Sequence, residues 1–183
     1  TGVFGVPDRV GADKIDVLRA YGAEVVVAPA SVPADSAGSY DSVSDRRARE
    51  IPGAFKPNQY ENPNGPRSHY ETTGPEIGRD TDGTVTHFVA GVGTGGTVTG
   101  TGQALKAAKP GVQVIAVEPK DSPVLSEGHP GPHKIQGIGP NFVPSILDRD
   151  VIDEIIPVEL DDAIRTDRVL AARDGLLVGL SCG

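Results

Sequence analysis

The stretch Gly91-Val92-Gly93-Thr94-Gly95-Gly96-Thr97-Val98-Thr99-Gly100 constrains this chain more than any other. Before it runs Val85-Thr86-His87-Phe88-Val89-Ala90, short, apolar and β-rich; after it, Gln103 to Lys109 is built of helix formers. A glycine turn therefore links a strand to a helix. Glycine tolerates positive φ and lets a ligand approach the main chain. The turn aims backbone N–H groups at one point, at the positive end of a helix dipole. Thr94 and Thr97 add hydroxyl donors. The chemistry this suits is a phosphate group.

Three phosphate readings compete with a tight turn that binds nothing. A P-loop needs a Gly-Lys-Ser/Thr ending, and no lysine follows, so it is discarded. The dinucleotide fingerprint G-x-G-x-x-G is met by Gly91, Gly93 and Gly96, and Glu118 ends the next strand about where a ribose partner belongs. The third is a monophosphate cup for a cofactor such as pyridoxal phosphate. The glycine pattern alone does not choose among them.

Elsewhere strands and helices alternate. Val3–Val6, a helix over 12–21 closed by Gly22, and a strand over 24–28 predict a parallel βαβ unit. Pro29 to Gly38 reads as a loop and Tyr40 to Glu50 as a surface helix. The proline-rich crossing at 51–66 is a place for a domain boundary. Residues 66–80 read as a helix bent at Gly74-Pro75. A strand over 112–117, a strand over 151–158 and a helix over 161–174 capped by Asp161 follow. A last strand at 176–178 breaks into a second glycine turn at 179–183. The expected fold class is α/β with a largely parallel sheet. Ligands in such sheets sit outside the carboxyl ends of the strands. If the strands before the two glycine turns are neighbours, both turns open on one edge.

The totals exclude several function classes. A chain of 183 residues can bury a core. With 25 acidic against 17 basic side chains, a net charge of −8 and no basic cluster, nucleic acid and anionic membranes are poor partners. No apolar run is long enough to span a bilayer. The single Cys182 excludes an internal disulfide and fits a reducing cytosol, which makes cytoplasmic the expected location. A chain without methionine, starting on a strand-like run and stopping in a turn, reads as cut at both ends. His69, His87, His129 and His133 show no metal-ligand spacing. Ser181 stands in Gly-x-Ser-x-Gly, which imitates a nucleophile elbow; such an elbow should be followed by a helix and a downstream histidine, and the sequence stops at Gly183 before either would come. Cys182 reads as a small core residue.

Several runs together resemble one family. They are Val6-Pro7-Asp8-Arg9, Asp13 to Glu24, Gln59-Tyr60-Glu61-Asn62-Pro63, and Thr72-Thr73-Gly74-Pro75-Glu76-Ile77. With them go the loop Gly93 to Thr97, His133 to Gly139, Leu147-Asp148-Arg149, and the close Gly175 to Gly183. In order along the chain, they resemble the cysteine synthase and cystathionine β-synthase family.

The resemblance implies the two-domain fold-type II architecture of pyridoxal phosphate (PLP) enzymes, with 1–52 part of a smaller mobile domain and 53–183 part of the larger cofactor domain. It implies β-replacement on O-acetylserine or serine, with sulfide giving cysteine or homocysteine giving cystathionine, in a homodimer when complete. On this likeness Gly93, Thr94, Gly95, Gly96 and Thr97 hold the cofactor phosphate and Ser181 meets the pyridine nitrogen. Gln59 and Tyr60 belong to the substrate site, and Gly137 lies on the loop closing over the amino acid. The Schiff-base lysine and the asparagine loop for the substrate carboxylate would lie upstream of Thr1. None of Lys14, Lys56, Lys106, Lys109, Lys120 and Lys134 stands in the matching context, so the piece alone is expected to be inactive. Tyr60 and the run 67–71 look like cystathionine β-synthase, and 133–139 more like cysteine synthase.

Overall fold

A parallel βαβ unit comes first, in which β1 (Val3–Pro7) and β2 (Glu24–Ala28) pair from Val3 opposite Glu24 to Pro7 opposite Ala28. The crossover is α1 (Ala12–Ala20). It stops because Gly22 takes φ +80°; Gly22 N–H then reaches Arg19 O at 2.8 Å and Ala23 N–H reaches Leu18 O at 3.1 Å. This is the paired C-terminal bonding that only a left-handed residue closes without strain. A computed structural model describes residues 1–8, 10–29, 32 and 36–183. Arg9 of the 6–9 run, and Ala30, Ser31, Pro33, Ala34 and Asp35 of the expected 29–38 loop, lie outside the described residues.

Helix α2 (Tyr40–Glu50) is capped by Ser39, whose hydroxyl oxygen accepts from Ser42 N–H at 3.1 Å. It packs on β1 at Gly5, where an added Cβ would lie 2.8 Å from Tyr40 O. Lys56 Nζ donates to Asp41 and Asp45 of α2, both at 2.7 Å. These elements make the first of two compact units, Thr1–Pro57; the second is Asn58–Gly183.

In the second unit the expected bent helix is two helices, α3 (Asn64–Glu71) and α4 (Thr73–Asp80). The break falls at Thr72, before Gly74-Pro75. Pro75 then sits in the first turn of α4, where its missing N–H costs no helical bond. Three parallel strands follow in the order β3 (His87–Gly91), β4 (Gln113–Pro119) and β5 (Glu154–Val158). Ala90 stands opposite Ala116, and Ala116 opposite Ile155. The crossover α5 (Gly96–Ala108) begins seven residues before the helix read from sequence. Its early turns are glycine and threonine, poor intrinsic helix formers, and tertiary packing is what holds them helical. Val92, Val98, Val114, Ala116, Leu125, Leu147 and Val151 form the core between sheet and helix. The strands alternate rather than running apolar on both faces: Phe88 and Ala90 face this core, while Val89 is 57 % exposed.

The β4–α5–β5 contact is held by one carboxylate. Asp153 accepts from Val114 N–H at 2.7 Å and from Lys106 Nζ of α5 at 2.7 Å. The Lys106 hydrogen bond, followed by the Val114 N–H, holds its pKa below the usual carboxylate range.

Three local readings are corrected. The strand at 176–178 does not form; that run is exposed, followed by a 3-10 turn at Leu180–Cys182. Asp161 is not a cap: α6 (Leu160–Val169) starts after Glu159, without a side-chain cap, and ends in a π-type turn to Asp174. Cys182 is exposed rather than in the core. Among the described residues no helix is long and apolar enough to cross a membrane.

Candidate functional site: a glycine cup at the start of α5

The cup is built by backbone geometry. Strand β3 ends at Gly91, and Val92 N–H still reaches Val117 O at 2.9 Å. The chain then turns, with Gly95 at φ +86°. A side chain at Gly95 would be strained there and would lie 3.0 Å from Leu147. A Cβ on Gly93 would lie 2.8 Å from Gly137 O. The first bond at the start of α5 is Thr99 N–H to Gly95 O at 3.0 Å. Ahead of it, Thr97 and Val98 present N–H groups that have no intrahelical acceptor, and Gly96 N–H has only the Thr94 hydroxyl at 3.4 Å. The positive end of α5 is thus lined by donors.

Helix α3 forms one wall. Gly96 and Gly100 lie one turn apart on α5, and α3 packs against them. A Cβ on Gly96 would sit 3.4 Å from Gly65 C, and one on Gly100 would overlap Pro66 O and lie 2.9 Å from His69 Cβ. This approach brings His69 Nε2 to 3.2 Å from Thr97 Oγ1, while its Nδ1 lies 2.8 Å from Thr73 Oγ1. In the sequence His69 is a histidine without metal spacing, inside the run 67–71. Its contact with Thr97 arises from helix packing, and no local signal announces it.

The segment 133–139 forms the other wall. Gly139 N–H donates to Val92 O at 3.0 Å, and His133 Nε2 donates to Gly139 O at 2.7 Å. Gly137 has φ +99°, and a Cβ built on it would lie 3.6 Å from Ser181 Oγ. The fold therefore gathers Gly93, Gly137 and Ser181, although 176–178 is no strand. The reason is the packing of the 180–182 turn on α6, where Gly183 abuts Ala163 O. Tyr60 is engaged elsewhere: its ring meets Phe142 edge-on at 5.0 Å and its carbonyl accepts from Ser145 Oγ at 3.2 Å. Gln59 is exposed on the adjoining turn. A cavity of about 620 Å³ near Glu61, Arg67, Tyr70 and Gln103 contains none of the cup residues.

Glu118 decides between two phosphate chemistries. It is neither a solvated strand end nor a ribose ligand. The side chain is buried and accepts from Leu125 N–H at 2.7 Å, Ser126 N–H at 2.9 Å and Ser126 Oγ at 2.5 Å. Both oxygens are used inside the fold. With it the dinucleotide reading loses its ribose partner. The donors at 94–98, with the nearest acid of the fingerprint turned inward, fit a phosphate monoester such as that of PLP. Four of the six lysines are engaged elsewhere: Lys106 holds Asp153, Lys109 the carbonyls of Gly83 and Val85, Lys120 Glu159, and Lys56 α2. Among the described residues no group of histidine, cysteine and acidic side chains could hold a metal.

Comparison with known proteins points the same way. The family model described as "Pyridoxal-phosphate dependent enzyme" matches residues 2–183. A cysteine synthase of Staphylococcus aureus (strain Mu50 / ATCC 700699) is 42 % identical over 182 residues, 99 % of this chain and 57 % of that protein. A crystal structure of a hydrogen sulfide-producing enzyme from Fusobacterium nucleatum aligns with TM-score 0.89 at 38 % identity, over 96 % of this chain and 58 % of that one. A cysteine synthase from Entamoeba histolytica aligns with TM-score 0.84 at 37 % identity, over 98 % and 52 %. The chain thus spans little more than half the length of the relatives it matches.

Proposed function

The chain belongs to the family of pyridoxal-phosphate dependent enzymes, and from that premise we propose that the protein carrying it makes cysteine by β-replacement, exchanging the acetoxy group of O-acetylserine for sulfide. The observation that carries this reading is the cup at the start of α5: hydrogen-bond donors converge there, and Glu118, the one acid the dinucleotide reading needed, is locked away in the fold. The likeness to cysteine synthases favours sulfide over homocysteine as the nucleophile. Serine and homocysteine, giving cystathionine, form the second reading, favoured by the 67–71 run.

Bound PLP supplies the electron sink for losing the β-substituent. The work of this chain is positioning. In this proposal the N–H groups and hydroxyls of Gly93, Thr94, Gly95, Gly96 and Thr97 anchor the phosphate, which fixes the ring relative to β3. The Ser181 hydroxyl meets the ring nitrogen as a neutral partner, from its place beside Gly137. Gly137 and its neighbours close over the amino acid and exclude water. Gln59 and Tyr60 belong to the substrate end. Residues 1–52 act as part of the mobile smaller domain and 53–183 as part of the larger one. A cytoplasmic homodimer completes the proposal.

The test is direct. Reconstituted with PLP, the full protein should absorb in the visible range and form cysteine from O-acetylserine and sulfide faster than cystathionine from serine and homocysteine. The 183-residue chain alone should form neither, since none of its lysines stands in the Schiff-base context of the family it resembles. No visible absorption after reconstitution would overturn the reading, and preference for homocysteine would move it to the second.

A further inference from the structure

His69 bridges two hydroxyls, and its tautomer decides what one of them can do. Nδ1 lies 2.8 Å from Thr73 Oγ1 and Nε2 lies 3.2 Å from Thr97 Oγ1. A proton on Nε2 is donated to Thr97 Oγ1 and leaves the Thr97 hydroxyl proton free to point elsewhere. With the proton on Nδ1 instead, Nε2 becomes an acceptor and captures the Thr97 proton.

Thr73 selects between them. Among the described residues its hydroxyl has no hydrogen-bond partner but His69. A bare Nδ1 accepts the Thr73 proton in a bond of normal length. A protonated Nδ1 would leave the Thr73 proton without an acceptor in the protein. The relay Thr73 O–H to Nδ1, and Nε2–H to Thr97 Oγ1, satisfies both ring nitrogens. It leaves one proton unplaced, that of Thr97, in the first turn of α5, where the N–H groups of Thr97 and Val98 also have no intrahelical acceptor.

We propose that His69 is a positioning residue that turns the Thr97 hydroxyl into a committed donor to a bound phosphate monoester. The inference rests on the phosphate-cup reading and carries it to a residue outside the loop. Gly100 is what makes it geometrically available, since a larger residue there would push His69 away from Thr97.

The test uses the full protein, with PLP, inorganic phosphate and the phosphate-free pyridoxal as probes. His69→Phe should weaken PLP and phosphate binding about tenfold, the worth of one charge-assisted hydrogen bond, and leave pyridoxal binding unchanged. Thr97→Val should lose the same factor, and the double variant no more than either. His69→Gln, which keeps a side-chain N–H, should recover most of the affinity. Nitrogen-15 NMR of the unmodified protein should find Nε2 protonated and Nδ1 bare, a readout independent of variant folding. Additive losses, an equal loss for pyridoxal, or an Nδ1–H imidazole would overturn the relay while normal PLP uptake left the cup standing. Failure of the unmodified protein to bind either PLP or phosphate would overturn both.

Discussion

A buried carboxylate with three donors is a structural group, and Glu118 shows how such a group can mimic a functional one. Leu125 N–H and Ser126 N–H belong to a turn that has no ladder of its own, and Glu118 completes their hydrogen bonding. Removing the carboxylate leaves two N–H groups without partners near the core. Glu118→Ala should cost on the order of 3 kcal/mol of stability, and Glu118→Gln about 1 kcal/mol, since one acceptor oxygen survives. Urea midpoints read both. PLP affinity should change little in Glu118→Gln if the residue has no part in the cup; a large selective loss of cofactor would return it to the site.

At the scale of elements, α5 is where local preference and packing disagree. Gly100→Ala gains up to about 1 kcal/mol of helix propensity. Its methyl would overlap the Pro66 carbonyl oxygen and lie 2.9 Å from His69 Cβ, against backbone that cannot step aside. Overpacking of this kind costs about 1–3 kcal/mol or more, so the clash wins and the variant should be destabilised by a net ~2 kcal/mol. Thermal unfolding measures it, and a more stable Gly100→Ala would show that α3 stands farther from α5. The Asp153 anchor adds a pH dependence. Its folded pKa is lowered, so the folded state binds this proton less readily than the unfolded chain does. The stability it contributes is full above the unfolded value of about 4 and is lost as pH falls through the lower folded value. Wild type and Asp153→Asn should therefore differ clearly at pH 7 and converge as pH falls below about 4. A difference that grew on acidification would contradict the sign.

For the whole molecule, the division after Pro57 and the run 175–179 are the least held places. Phe55 and Leu177 are 82 % and 90 % exposed and lie outside helix and strand. Tyr21 is as exposed, at 88 %, but the Gly22 and Ala23 bonds tie its turn down. Brief chymotrypsin digestion of the chain should therefore cut after Phe55 and around Leu177 before it cuts inside α3 to β5, which mass spectrometry of the first fragments would establish. Early cuts within α5 or β4 would mean that the second unit is not the compact body described.

Local sequence is enough for the class of the fold and the place of the cup. Glycines at 93, 95 and 96 between an apolar strand and a helix leave few backbone solutions, and Gly22 and Ser39 end and begin helices through local bonds that need no distant partner. The α/β reading followed from such local signals, and the family resemblance from their order. Tertiary structure alone decided the rest. It made helix out of the glycine-rich start of α5, because α3 needed a surface without side chains. It buried Glu118 under a turn seven residues on and denied a strand to 176–178, which find no ladder partner among the described residues. It also set His69 against Thr97. Each of these depends on which segments meet across the fold, and the energies involved are those of packing and of distant hydrogen bonds, which no run of neighbouring residues encodes.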